Sequence, residues 1–464
     1  MSMRADVEAV VVMTAGLDRI RRDTGIPDLF PAEVSTAAEV AVRTPIGSEH
    51  RDRTDRRFVT LDPAGSMDLD QAFAIESAGD DIVLHYAIAD VGWFVRPGDP
   101  LDVEGHNRGT TVYLPDRRST LYPTVLSEGA ASLLPDVDRP SVVFTVRVAA
   151  DGTPRLDGVE RAIVRSRAKL AYDTVTDADL PDGFAELHRR IVAAEQRRGA
   201  TRFEFPEQQV VRDNDHHYVV RFRPRLASEE QNAALSLATN LAVADTLLAA
   251  HTGVFRVMAD VDEHRLGRLR NAAHAFGLDW PRELGLAEFV RSLPHDDPRT
   301  SAFLLAIRRA SGGAGYEIYR EGRRPWHAAV AATYAHATAP LRRLQDRYVI
   351  EAALAVAGGQ PVPEDIASGF EALPRAMVRG EQRANRAERL ALDLAEAVVL
   401  AGREGHTFLA VVIDEGEWGV EFQIAEPAVI GRVHAHRIDP GDEIRVRVTS
   451  VDVVAGEVVY ERVA

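Results

Sequence analysis

The 464 residues include no cysteine, which excludes disulfides, thiolate-bound zinc and thiol nucleophiles together. No apolar run approaches the roughly 20 residues that a membrane span needs. The start, MSMRADVEAVVVMTAGLDRIRRD, has an acidic residue at position 6 and charges directly after a short apolar run, so it lacks the pattern of a secretory signal. Positive charge is also short. The 55 Lys and Arg stand against 71 Asp and Glu, for a formal net charge of −16, which argues against a generally basic nucleic-acid binder while leaving room for a local basic groove. Neither an internal repeat nor a low-complexity segment is present. These absences lead to the expectation of a cytoplasmic protein with no membrane contact.

Residues 1–57 read as helical and then irregular, with Pro27 and Pro31 breaking the pattern, and are expected to dock on the main body as an appendage. From Phe58 the period changes to two. Phe58–Leu61, Ala72–Ile75, Ile82–Ala89 and Ser141–Val148 are rich in β-branched and aromatic residues and predict a mixed or antiparallel sheet. The long loop-rich stretch 91–140 between them is the kind that tends to carry function. Helical spacing follows over Asp182–Arg198, Glu229–His251, Glu263–Phe276, Thr300–Ser311, Ala339–Val356 and Ser368–Arg403. The expected class is α+β, with a sheet surrounded by helices over 58–403. Five short strand patterns over 404–464 fit a small OB-like barrel.

The chemistry concentrates in Phe58–Glu76, FVTLDPAGSMDLDQAFAIE, where Asp62, Asp68 and Asp70 fall within nine residues. Carboxylates that close repel one another unless a cation or a proton sits among them. In an extended chain Asp68 and Asp70 point to one side, and Asp62 returns across the turn, which makes a hard-cation site of the sort Mg²⁺ occupies; a solvated acidic turn is the competing reading. An EF-hand is excluded, since its glycine and terminal glutamate are missing at the required offsets. A second cluster, YAHATAPLRRLQD, places Arg342 and Arg343 in the expected first turn of a helix, a phosphate-site arrangement or a charged surface. A third sets Glu381, Asn385 and Glu388 on one helix face by i, i+4, i+7 spacing.

The ordered blocks LDPAGSMDLDQAF, LHYAIADVGWFVRPGDPLD, RGTTVYLP, LSEGAASLLPDVDRPSVVFTV, KLAYDTV, YAHATAPLRRLQD and NRAERLALD resemble the RNB family of ribonucleases, the ribonuclease II and ribonuclease R type, from about Phe58 to about Arg403. The resemblance implies a metal-dependent 3′-to-5′ exoribonuclease that releases nucleoside 5′-monophosphates from single-stranded RNA, followed by an OB-type RNA-binding barrel. By the same resemblance Asp62, Asp68 and Asp70 hold Mg²⁺ (or Mn²⁺) with Gln71 beside them, and Asp70 also positions the nucleophile. Tyr113 stacks on the 3′-terminal base and Tyr172 contacts RNA. Phe203 or Phe205 supplies the opposing face of the base clamp. Arg342 holds the phosphate, Arg343 lies next to it as a further RNA contact, and Glu388 lines the catalytic cavity. Arg161, Arg165, Arg167, Lys169, Arg221, Arg223 and Arg225 are candidates for a channel wall.

Three departures stand out. Gln71 replaces the second of two adjacent aspartates, and an amide is a weaker, neutral ligand. Ala233 and Ala234 fall where the family has an acidic pair, with Glu229 and Glu230 a turn earlier. Residues 1–57 stand where the family usually has two cold-shock barrels. The alternative to the enzyme is a catalytically weakened RNA-binding protein of the same fold. Either is expected to act as a monomer without an obligate protein partner.

Overall fold

The computed structural model describes residues 3–200, 207–212, 217–223, 226–294, 297–416, 419–439 and 441–463. Its central sheet runs in the order Arg51–Asp52, Pro154–Ala171, Phe58–Asp62, Gln71–Ala78, Asp81–Ala89, Asp138–Val148, and the last of these also pairs with Pro154–Ala171. That pairing closes the sheet. The 18-residue strand Pro154–Ala171 does so by pairing with different strands along its two halves. Residues 154–165 run antiparallel to Asp138–Val148, and residues 166–171 run parallel to Phe58–Asp62. Closure leaves Asp62 at the end of one strand and Asp70 immediately before the next, at one mouth of the sheet.

The expected strands 58–61, 72–75, 82–89 and 141–148 all form, each slightly longer than its apolar pattern. Pro154–Ala171 has no counterpart in that pattern; only Ala162, Val164 and Ser166 of it are buried, in alternation with Arg161, Ile163, Arg165 and Arg167. Helix Ala227–Ala249 packs on this strand and buries Ala234, Leu235, Leu237, Ala238, Leu241, Val243 and Leu247, an apolar surface too wide for a solvent-facing helix.

The first helix, Met3–Thr24, docks on the long helix Leu373–Leu400. Met13, Leu17 and Ile20 share a core with Ala387, Ala391 and Leu394, and a Cβ added at Gly16 would sit 2.4 Å from Leu394. The long helix also crosses the 108–110 turn closely. Gly109 has φ +74°, and a Cβ there would lie 2.6 Å from the Ala376 carbonyl; a Cβ on Gly380 would lie 2.7 Å from the Arg108 carbonyl. Only glycine fits both places at no cost.

The last five strands, Thr407–Gly416, Gly419–Ile424, Val429–Val433, Glu443–Asp452 and Glu457–Val463, form one curled antiparallel sheet, in keeping with the expected OB-like barrel. It curls around Phe422, whose ring meets Tyr460 edge to face at 5.0 Å. Leu400, the final residue of the long helix, is fully buried in this terminal core. Among the described residues no helix is long and apolar enough to cross a membrane.

Candidate active site

The aspartate loop is fixed from several directions. The Leu69 amide donates to Ser132 Oγ at 2.9 Å, Ser132 Oγ donates to the Met67 carbonyl at 2.6 Å, and the Leu133 amide donates to the Leu69 carbonyl at 3.0 Å. Ser132 is fully buried. It comes from the 91–140 segment, so that stretch positions the acidic loop. The Ala89 amide donates to the Asp70 carbonyl at 2.9 Å.

Asp70 is 3% exposed. Its Oδ1 accepts from the Leu341 amide at 2.7 Å and its Oδ2 from Arg342 Nε at 3.1 Å. Burial pushes its pKa up to about 7, against the opposing effect of Arg342 and the Leu341 amide. Asp62 is raised to about 6, first by burial and further by Asp68, while Arg342 and Lys169 oppose the shift. Its Oδ2 is buried without a hydrogen-bond partner. Asp68 Oδ1 accepts from Arg118 Nη1 at 2.5 Å, and Oδ2 accepts from the exposed Tyr113 hydroxyl at 3.3 Å.

The three aspartates are therefore electrostatic neighbours, and their oxygen donors suit a hard cation, with the orphaned Asp62 oxygen the readiest ligand. Among the described residues, however, no three His, Cys, Asp or Glu side chains converge as a preformed metal-holding group. Arginines on Asp68 and Asp70 balance the charge instead. Gln71, expected beside the metal ligands, has both ends of its amide engaged: its Nε2 donates to the Thr338 carbonyl at 2.6 Å and its Oε1 accepts from the Tyr86 hydroxyl at 2.6 Å. The amide ties the sheet to the 338–343 loop.

That loop also differs from the expected helical start, because the helix begins only at Leu344. Fully buried Asp346 accepts from the Thr338 and Ala339 amides at 2.9 and 2.7 Å and from Arg343 Nε and Nη2 at 3.0 and 2.7 Å. Arg343, expected as a further RNA contact, thus braces the loop through Asp346. Arg342 points the other way, onto Asp70, with 44% of its side chain open to solvent. The Arg342 carbonyl accepts from the Thr111 amide at 2.9 Å and from Thr110 Oγ1 at 2.8 Å, which fastens the arginine loop to the strand that carries Tyr113.

A cavity of about 410 Å³ opens beside the carboxylates, lined by Gln71, Tyr172, Glu229, Asn232, Ser236, Tyr334 and Arg342 among others. Asn232 Nδ2 donates to the Tyr172 hydroxyl at 2.9 Å and to the Leu61 carbonyl at 3.1 Å, holding the tyrosine at the wall. A larger cavity of about 1170 Å³, lined by Arg197, Arg291, Arg308 and Trp326 among others, shares Ala329 with it but includes none of the acidic-site residues.

For Glu388 the described interactions include none with the aspartates. It lies on the long helix, where partial burial of its carboxyl and the nearby carboxylate of Glu207 raise its pKa. On the same face Glu381 receives both oxygens' worth of hydrogen bonds from Arg256, at 2.9 Å each. Phe203 and Phe205 lie outside the described residues, as does Arg225. The other basic candidates have separate duties: Arg161 pairs with buried Asp90 at 2.8 Å and with Glu351, Arg165 with Asp138 at 2.7 Å, and Arg223 with Glu229. Arg167 donates to the Thr54 carbonyl and Lys169 to the Ala64 carbonyl at 2.8 Å. Among the described residues of this set, Arg221 is exposed and has no such tie. Sequence reasoning missed Ser132 and Arg118. Arg118 sits in the PDRRST run, where nothing but the proximity of VYLP marks it.

A closed mixed sheet with an acidic mouth, a helical body and a terminal five-stranded sheet defines the class. Residues 50–356 match the RNB domain model, and residues 406–463 match the model of the RNase II-type exonuclease C-terminal S1 domain. The chain belongs to the RNB family. It is 25% identical to ribonuclease R of Thermotoga maritima over 95% of this chain and 69% of that protein. With ribonuclease R of Escherichia coli it shares 28% identity over 84% of this chain and 51% of the relative, so it spans about half of that longer protein. Mycoplasma genitalium RNase R, solved with ribose-methylated single-stranded RNA, has the same fold, with a TM-score of 0.86 and 20% identity over 97% of this chain and 78% of that one.

Proposed function

We propose that the protein is a hydrolytic 3′-to-5′ exoribonuclease that removes nucleoside 5′-monophosphates from single-stranded RNA. The observation that carries this reading is the Asp70 carboxylate, buried and capped by the Leu341 amide and Arg342, in a chain of the RNB family.

The residues divide the task. The half-open Arg342 guanidinium reaches past Asp70 to offset charge developing on a phosphate. Tyr113, 43% exposed, offers its ring to the last base and so sets the register of each cut. The cavity of Tyr172, Asn232, Ser236 and Tyr334 accepts the sugar and base that follow. Asp62, Asp68 and Asp70 would hold Mg²⁺, or Mn²⁺ in its place. When bound, such an ion activates water and stabilises the leaving oxygen.

The test is digestion of 5′-labelled single-stranded RNA over a Mg²⁺ and Mn²⁺ series, beside Asp70→Asn. Progressive shortening from the 3′ end with late release of label is expected from the wild type alone. Early release of label as mononucleotide would reverse the direction. The neutral, fully engaged Gln71 and the guanidinium on Asp68 favour the second reading, an RNA-binding protein without turnover; tight RNA binding with no cleavage in any metal would establish it.

A further inference from the structure

Arg118 has no place in the mechanism above, yet it touches the acidic cluster. Its Nη1 bonds Asp68 Oδ1 at 2.5 Å and its Nη2 lies 3.2 Å from Glu128 Oε1. It is also the cross-strand partner of Tyr113 in the short ribbon Val112–Tyr113/Arg118–Ser119. Cross-strand partners share a face, so the proposed base platform and this guanidinium reach the same aspartate side by side. Between them they engage both oxygens of Asp68. The turn of the ribbon is pinned from the N-terminal segment, by Arg21 on Asp116 at 2.5 Å and by Arg117 on Asp28 at 2.9 Å.

The Arg118 and Asp68 side chains are 27% and 9% exposed. Water screens such a pair far less than a surface one. A divalent cation that takes Asp68 must compete with Arg118 for the same oxygen. Glu128, already on the second nitrogen, is a ready acceptor for the guanidinium once Asp68 is claimed. We propose that Arg118 is a positioning residue that competes with the divalent cation for Asp68 and retreats onto Glu128 when the cation binds, so that it sets the metal affinity of the site. The proposal rests on the metal part of the reading above.

The experiment is Mn²⁺ binding to the full chain without RNA, followed by the loss of the free-ion electron paramagnetic resonance signal, with thermal melting of each variant alongside. Arg118→Ala removes the competitor and should tighten Mn²⁺ binding about tenfold, the equivalent of one partly buried ion pair. Arg118→Lys, a shorter and less fork-like cation, should fall between the two. Glu128→Gln withdraws the alternative acceptor and should weaken binding. A merely structural Arg118 would give weaker binding on substitution with Ala, and equal affinities would mean no competition; either result overturns the proposal. Mn²⁺ binding with these shifts in a protein that leaves RNA intact would sink the exonuclease and spare the competitor. RNA digestion with unshifted Mn²⁺ affinities would do the reverse.

Discussion

Arg342 and Asp70 stand 3.1 Å apart, Nε to Oδ2, across 272 residues of chain. The contact joins the two motifs most rich in chemistry and places a proposed metal-holding carboxylate beside the proposed phosphate-holding guanidinium. Asp70→Asn keeps the shape and the bond from Leu341 but loses the charge. Cleavage of labelled RNA should fall by about a hundredfold or more, while RNA binding by filter retention stays close to wild type.

Tyr113→Ala should change binding without changing folding. Its ring is exposed and its hydroxyl makes one long bond to Asp68, so the melting temperature should hardly move. Loss of a stacked base costs about 1–3 kcal/mol, read as a rise of roughly ten- to a hundredfold in the Kd for short oligonucleotides and as a shifted end product.

Arg343→Ala should act on stability. It would leave the Asp346 carboxylate, fully buried, with only the Thr338 and Ala339 amides, and an uncompensated buried charge costs about 3 kcal/mol. Chemical denaturation should show that loss, together with reduced activity, because the displaced loop carries Leu341 and Arg342. Normal stability with a selective loss of RNA affinity would return Arg343 to the RNA contacts.

Gln71→Glu replaces a donor with an oxygen against the Thr338 carbonyl. An unmet, repelled pair of acceptors costs about 1–3 kcal/mol, so an added carboxylate here should lower the melting point and should not raise cleavage. A sharp gain in cleavage would instead mean that the amide limits the enzyme.

Glu396 carries a pH dependence. It is 9% exposed, and burial raises its pKa to about 7, although Gln208 Nε2 at 2.6 Å and the Ile430 amide at 3.2 Å favour its charged form. A carboxyl whose folded pKa lies above its unfolded value stabilises fully below the unfolded value, near 4.5, and that contribution is lost as pH rises through about 7. Glu396→Gln should therefore match wild type near pH 5 and melt higher near pH 8. An unchanged difference across that window would contradict the shift.

Much of this arrangement was legible in the sequence because it rests on local pattern. Alternating apolar residues marked the strands around Asp62 and Asp70 and those of the terminal sheet, and the ordered motif blocks marked the family. Pro154–Ala171 escaped because its outward positions Arg161, Arg165 and Arg167 are charged and few of its residues are buried, so its strand character depends on the strands it bridges. Arg342 and Arg343 are adjacent and chemically alike, yet the loop turns one toward Asp70 and the other toward Asp346. Nothing local separates them. Gln71, Arg118 and Ser132 take their roles from groups 50 residues or more away, which no spacing rule within a motif can supply.

Leu400 buried in the terminal core has a mechanical meaning. The S1-type sheet is riveted to a 28-residue helix whose other contacts include the first helix and the Gly109–Gly380 crossing beside the arginine loop. A displacement of that sheet would therefore not stay local: the helix would carry it to the first helix and to the Gly109–Gly380 crossing.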